Sequence, residues 1–167
     1  RSAEQMFAEV QANYSNADCF ISAAAVADFR VADVAEQKLK KQTGSDEMTL
    51  TLVKNPDIVA WVAQQDSKPF VVGFAAETQN VIEYAKEKLQ RKKLDMICAN
   101  QVGENQGFEQ DENALILITS KEEISLTVSS KYNQAMDLLS FIAFIMFCFL
   151  GFFAWDGSYC PESLVSV

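Results

Sequence analysis

Two stretches of this sequence rise through apolar residues and end in tiny ones. Cys19-Phe20-Ile21 gives way to Ser22-Ala23-Ala24-Ala25, and Phe70-Val71-Val72-Gly73-Phe74 gives way to Ala75-Ala76. A strand that is apolar at successive positions must be covered on both faces, which places it inside a mostly parallel sheet with helices on either side. The tiny residues constrain the chain further. They lie where the strands end, and in open α/β sheets ligands sit at the carboxyl ends of strands, so alanines there leave room for another molecule to approach the backbone. Asp28 and Glu77 follow the two alanine stretches and are expected near one edge of the sheet, with Phe74 as a stacking wall for a planar group.

The remaining elements follow from periodicity and punctuation. Ala3, Met6, Phe7, Val10 and Tyr14 recur at helical spacing, which predicts a helix over residues 2 to 14 leading into a strand over 19 to 24. Residues 48 to 53 alternate apolar side chains with threonine, which predicts a half-buried strand with the threonines outward. In Lys54-Asn55-Pro56-Asp57-Ile58-Val59, Asn55 suits a helix cap and Pro56 the first helical position, so a helix is expected to about residue 65. Its exposed amides can bind an anion or a base edge. A helix over about 80 to 93, opened by an Asn80-x-x-Glu83 capping box, buries Val81, Ile82, Ala85 and Leu89. Its Lys88 and Lys92 lie four apart and share a face, either as solvated cations beside Glu83 and Glu87 or as a pair closing on one phosphate chain. A third apolar strand is expected over 94 to 100, then a polar loop from 103 to 112 whose acids read as solvated. A hairpin of strands over 114 to 118 and 124 to 128 follows.

Composition narrows the chemistry. The 167 residues carry a net charge of -9, which excludes a general nucleic-acid binder. Positive charge gathers in two places, at Lys38, Lys40 and Lys41 and at Lys86, Lys88, Arg91, Lys92 and Lys93. Such local clusters suit a small polyanion. The chain has no histidine, so Ser-His-Asp and Cys-His catalysis and His-ligated zinc are excluded. Its four cysteines, Cys19, Cys98, Cys148 and Cys160, form no C-x-x-C motif, and Cys19 and Cys98, in apolar strand patterns, read as buried free thiols that suit a reducing cytosol. No G-x-G-x-x-G is present, which speaks against a dinucleotide-binding domain.

Ala24-Ala25-Val26-Ala27-Asp28-Phe29-Arg30, Lys38-Leu39-Lys40, Asn55-Pro56-Asp57-Ile58, Gly73-Phe74-Ala75-Ala76-Glu77-Thr78 and Asp95 to Asn100 together resemble phosphopantothenoylcysteine synthetase. In most bacteria that enzyme is the C-terminal half of a bifunctional coenzyme A biosynthesis flavoprotein. The resemblance covers about residues 1 to 128 and implies a three-layer, Rossmann-like, mostly parallel α/β sheet with a C-terminal hairpin. It implies that CTP activates 4'-phosphopantothenate to an acyl-cytidylate, which cysteine attacks to give phosphopantothenoylcysteine, CMP and pyrophosphate. By matching position the nucleotide-binding residues are Asp28, Lys38, Pro56, Asp57, Ile58, Val59, Phe74, Lys88 and Lys92. Lys38 is the catalytic residue, Lys88 and Lys92 hold the phosphate tail, and Asp28 with the segment 55 to 58 reads cytosine and sugar. Mg2+ accompanies the triphosphate, its protein ligands unassigned, and FMN belongs to a decarboxylase domain expected upstream. A homodimer is implied.

The sequence departs from the family pattern at both ends. It opens on Arg1 inside a helix, without the upstream strand, Gly-rich turn and Asn-containing segment of the family, so the chain is expected to be a fragment that binds CTP weakly and has little synthetase activity. Residues 129 to 167 read as a divergent tail in which Leu138 to Trp155 is almost wholly apolar. At about 1.5 Å per residue that run just reaches across a bilayer core. It reads either as a membrane anchor or as an altered terminus of a cytoplasmic enzyme. A non-catalytic nucleotide-binding or dimerising module is the alternative function.

Overall fold

A computed structural model describes residues 2–35, 37–39, 47–102 and 112–149. Lys40, Lys41, most of the acidic loop, Cys160 and the apolar run beyond Phe149 lie outside the described residues. Helix α1 (Ala3–Asn13) opens at Ser2, whose hydroxyl accepts from Gln5 N (3.2 Å) while the Gln5 side chain accepts from Ser2 N (3.0 Å). A 3-10 turn over Tyr14–Asn16 leads to β1 (Cys19–Ile21). The short strands β2 (Phe29–Val31) and β3 (Leu52–Lys54) form an antiparallel ribbon of their own. Then come α2 (Ile58–Ala63), β4 (Phe70–Glu77), α3 (Val81–Lys92) and β5 (Met96–Gln101). The chain ends with β6 (Glu112–Asn113), β7 (Leu115–Thr119), β8 (Glu123–Ser125), β9 (Ser129–Ser130) and α4 (Lys131–Phe149).

The central sheet has the order β1-β4-β5-β7-β8. β1, β4 and β5 run parallel, β7 is antiparallel to β5, and β8 closes a hairpin with β7. The expected mostly parallel sheet with a terminal hairpin is therefore present. β4 and β5 are buried because each contributes side chains to two cores. Val71 and Ala75 with Ile97 and Ala99 face Val62 and Ala63 of α2 and Ala85 and Leu89 of α3. Val72 with Met96 and Cys98 faces Leu138, Phe141, Ile142 and Ile145 of α4. Those four α4 residues recur at three- and four-residue spacing, so one stripe of the helix covers the second face of the sheet. Among the described residues, no helix is long and apolar enough to cross a membrane. Helix α1 docks through Phe7 and Tyr14, whose rings meet Trp61 of α2 edge-on at centroid distances of 5.3 and 5.1 Å.

Several local expectations are corrected. The alternating stretch 48 to 53 is a strand only from Leu52, and Met48, Leu50 and Leu52 are all exposed because the β2–β3 ribbon stands apart from the main sheet. Helix α2 is capped by Asp57, which accepts from Ala60 N (3.2 Å), and not by Asn55. Asn80 does precede α3, but with a positive φ of 49° and no side-chain cap, and Ile82 is exposed at 39%. A capping hydrogen bond needs extended backbone at the cap, and left-handed backbone directs the amide side chain elsewhere.

The buried stripe of α4 sets an expected outcome. Phe141→Ala should lower unfolding free energy by about 3–5 kcal/mol in urea denaturation, as large-to-small core substitutions do. Leu139→Ala, on the exposed side of the same helix, should change it by no more than about 0.5 kcal/mol.

Candidate functional site

The carboxyl ends of β1 and β4 open into a cleft of about 320 Å3. One wall is the segment Ser22 to Asp28, and the facing wall is Lys54 to Val59. The floor is Gly73 to Ala76 of β4, and Lys88 and Lys92 reach in from α3. The floor stays low at Gly73, Ala75 and Ala76 because those residues are small. A Cβ added to Gly73 would lie 2.7 Å from Leu94 Cδ1, so a larger residue there would have to displace the end of the Leu94 side chain.

Asn55 holds the two walls together. Buried at 8% exposure, it donates from Nδ2 to Ala27 O (2.8 Å) and from its backbone N to Asp28 O (2.8 Å). Arg30 Nη1 donates to Asn55 Oδ1 (3.3 Å) and Lys54 O (3.1 Å), and its Nη2 pairs with Glu4 of α1 (2.7 Å). A buried amide is stable only when both ends are satisfied, and here Nδ2 is bound to the cleft wall at Ala27 and Oδ1 to Arg30 of β2.

Two of the three cleft lysines, Lys88 and Lys92, are paired with acids from other elements. Lys92 Nζ lies 3.1 Å from Asp57 Oδ1 and 2.9 Å from Oδ2. Lys88 pairs with Glu77 at the end of β4. Of the solvated partners considered from sequence, Glu87 pairs with Arg91 instead.

The sequence-predicted residues Asp28, Pro56, Asp57, Ile58, Val59, Phe74, Lys88 and Lys92 all line this one cleft. Phe74 is 41% exposed, which suits a wall better than a core side chain. Lys38 is not among the lining residues; it is exposed in the segment between β2 and β3. Lys54 was missed as a site residue, and Asn55, expected with the segment 55 to 58 to read base and sugar, was missed as the tie between the walls. The signal was present in Asn55-Pro56-Asp57, where two capping residue types stand two apart and only one can cap. Among the described residues no group of three or more His, Cys, Asp or Glu side chains could hold a metal ion.

Burial pushes the Cys98 thiol up to about 12, and burial followed by the Asp95 carboxylate raises that of Cys19. Burial also raises the Glu122 carboxyl, against the pull of Lys121.

A sequence model of the DNA/pantothenate metabolism flavoprotein C-terminal domain family matches residues 1–145. The chain belongs to that family. The resemblance read from its motifs is thereby borne out. The coenzyme A biosynthesis bifunctional protein CoaBC of Vibrio vulnificus strain CMCP6 is 53% identical over 147 residues, 87% of this chain and 37% of that protein. The proteins of the same description from Escherichia coli K12 and Bacillus subtilis 168 are 56% identical over 119 residues and 39% identical over 145 residues. They are covered over 29% and 35% of their lengths, against 70% and 86% of this chain. The chain thus spans about a third of the length of these curated relatives. The crystal structure of the C-terminal domain of a coenzyme A biosynthesis bifunctional protein CoaBC superposes with a TM-score of 0.68 at 29% identity, covering 87% of this chain and 63% of that one. A Streptococcus pneumoniae DNA/pantothenate metabolism flavoprotein shares the fold, with a TM-score of 0.67 at 16% identity, covering 86% of this chain and 70% of that one.

Two outcomes are expected here. Asn55→Ala should destabilise the protein by about 1–3 kcal/mol, the usual effect of orphaning buried hydrogen-bond partners, and raise amide exchange over residues 23 to 28. Cys98 gives a pH signature: below about pH 9 both states keep the proton, and between about 9 and 12 only the unfolded chain ionises. Stability therefore falls as pH rises, by up to about 1.4 kcal/mol per unit from this group. Urea midpoints of Cys98→Ala should fall less steeply over that window than those of the unaltered chain.

Proposed function

We propose that this domain carries out CTP-dependent ligation of 4'-phosphopantothenate with cysteine in coenzyme A biosynthesis. The observation that carries the reading is the convergence of Asp28, the segment 56 to 59, Phe74, Lys88 and Lys92 on one cleft floored by tiny residues. The names of the CoaBC relatives support the pathway.

In this reading the phosphopantothenate carboxylate attacks the α-phosphorus of CTP. A P–O bond to pyrophosphate breaks as the acyl-cytidylate forms. The amine of cysteine then attacks the acyl carbon, loses a proton and expels CMP. Anion attacks anion in the first step, so the barrier falls where fixed positive charge meets the charge that develops. Lys88 and Lys92 hold the phosphate tail, Asp28 and residues 56 to 59 engage base and sugar, and Phe74 stacks on a planar group. Lys38 is assigned the catalytic role in activation on the family resemblance, from outside the lining of the cleft. The lack of a metal-ligating cluster among the described residues fits Mg2+ that travels on the triphosphate, since magnesium favours phosphate oxygens and retained waters over an all-protein cage. FMN has its place in a separate decarboxylase domain. A homodimer is part of the reading, supported by Phe29 and Leu52, which share one face of the β2–β3 ribbon and are 56% and 55% exposed.

The test is calorimetric titration with Mg·CTP, followed by an assay of pyrophosphate release. CTP should bind weakly, and Lys38→Ala should abolish binding. Pyrophosphate should form slowly, only with phosphopantothenate present, and not in Lys38→Ala. Absence of CTP binding overturns the reading, and binding without pyrophosphate marks a nucleotide-binding module instead.

A further inference from the structure

Lys88 is badly placed by its own helix. One turn before it on α3 stand Tyr84 and Ala85, and one turn after it stand Arg91 and Lys92. No carboxylate occupies a neighbouring position on that face, and two like charges do. Side chains three or four apart on a helix meet, and like charges there repel. Four methylenes give a lysine ample freedom to swing away into water. Yet Lys88 and Lys92 both line the cleft.

What opposes the repulsion comes from outside the helix. Lys92 is held by Asp57, which lines the cleft itself. Lys88 is held by Glu77, which does not line the cleft and reaches it only through that ammonium group. Glu77 is itself well fixed. It is the last residue of β4, paired in register with Gln101, and its carbonyl accepts from Val102 N (2.9 Å). Its side chain is 16% exposed and that of Lys88 35%, against 67% and 61% for the Glu87–Arg91 pair of the same helix. Exposed pairs of the second kind contribute little, whereas a half-buried pair anchored to a central strand fixes a long side chain in one place.

We infer that Glu77 is a positioning residue of the nucleotide site: its carboxylate holds the Lys88 ammonium at the cleft against the charge of Arg91 and Lys92, ready for the outer phosphates of the nucleotide. This rests on the reading of the cleft as a nucleotide site. Preorganised cation placement strengthens anion binding because less side-chain freedom is lost when the ligand arrives.

The experiment is a double-mutant cycle read by titration of the full chain with Mg·CTP and with CMP. Glu77→Gln keeps the shape of the side chain and removes its charge. It should weaken Mg·CTP binding about tenfold, leave CMP binding within about twofold, and have no further effect in a Lys88→Gln background. Glu77→Asp, which retains the charge, should recover part of the loss, and thermal unfolding establishes that each variant is folded. Unchanged or tighter Mg·CTP binding by Glu77→Gln overturns the inference, as does an equal loss with and without Lys88. If Lys88→Gln weakens Mg·CTP binding while Glu77→Gln does not, only the role of Glu77 falls. If Lys88→Gln has no effect, the nucleotide-site reading falls with it.

Discussion

The fold depends on a central strand that is covered on both sides. β4 sends Val71 and Ala75 into one core and Val72 into the other, and it pairs in parallel with β1 on one side and β5 on the other. Every other element is placed by that demand. α2 and α3 cover one face, α4 covers the second, and the β7–β8 hairpin extends the sheet beyond β5. The same strand ends in residues too small to fill the space beyond them. The cleft is therefore a product of the packing that builds the sheet, since β4 changes within a few residues from filling two cores to flooring an open site.

The sheet was legible because both-face burial leaves a plain mark in sequence. Cys19 to Ile21, Phe70 to Phe74 and Met96 to Ala99 have few polar positions, and each became a strand of the central sheet. The ribbon was less legible. Residues 48 to 53 alternate as a half-buried strand does, but alternation reports only that two faces differ, and here Met48, Leu50 and Leu52 are exposed along with Thr49 and Thr51. Helix caps failed for a related reason. Asn55, Asp57 and Asn80 are all good capping residues by type, but left-handed backbone rules out a cap at Asn80, and a tertiary bond decides between the other two. Asn55 is drawn off to Ala27 and Asp28, which leaves Asp57 to cap α2.

The site divides in the same way. Residues lying close to the strand ends or on one helix face could be brought together from the sequence pattern and the family motifs, and eight of the nine proposed binding residues share the cleft lining. What sequence did not disclose are the links between segments: Asn55 tying one wall to the other, Arg30 fixing Asn55 while reaching Glu4 in α1, and Glu77 on Lys88. These contacts span separations that no periodicity encodes. Lys38 shows the converse, since a motif names it while the cleft lining does not include it.

Asp57 serves two structures at once. One carboxylate oxygen accepts from Ala60 N at the first turn of α2, and both lie within reach of Lys92 on α3. The start of one helix and the cationic edge of the cleft thus share a single acceptor. An anion that draws Lys92 to itself relieves Asp57 of a competitor for its lone pairs and leaves the carboxylate to the backbone of α2. Occupancy of the cleft and fraying of that short helix are then linked quantities, and α2, through Trp61, carries the link to the rings of Phe7 and Tyr14 on the outer layer.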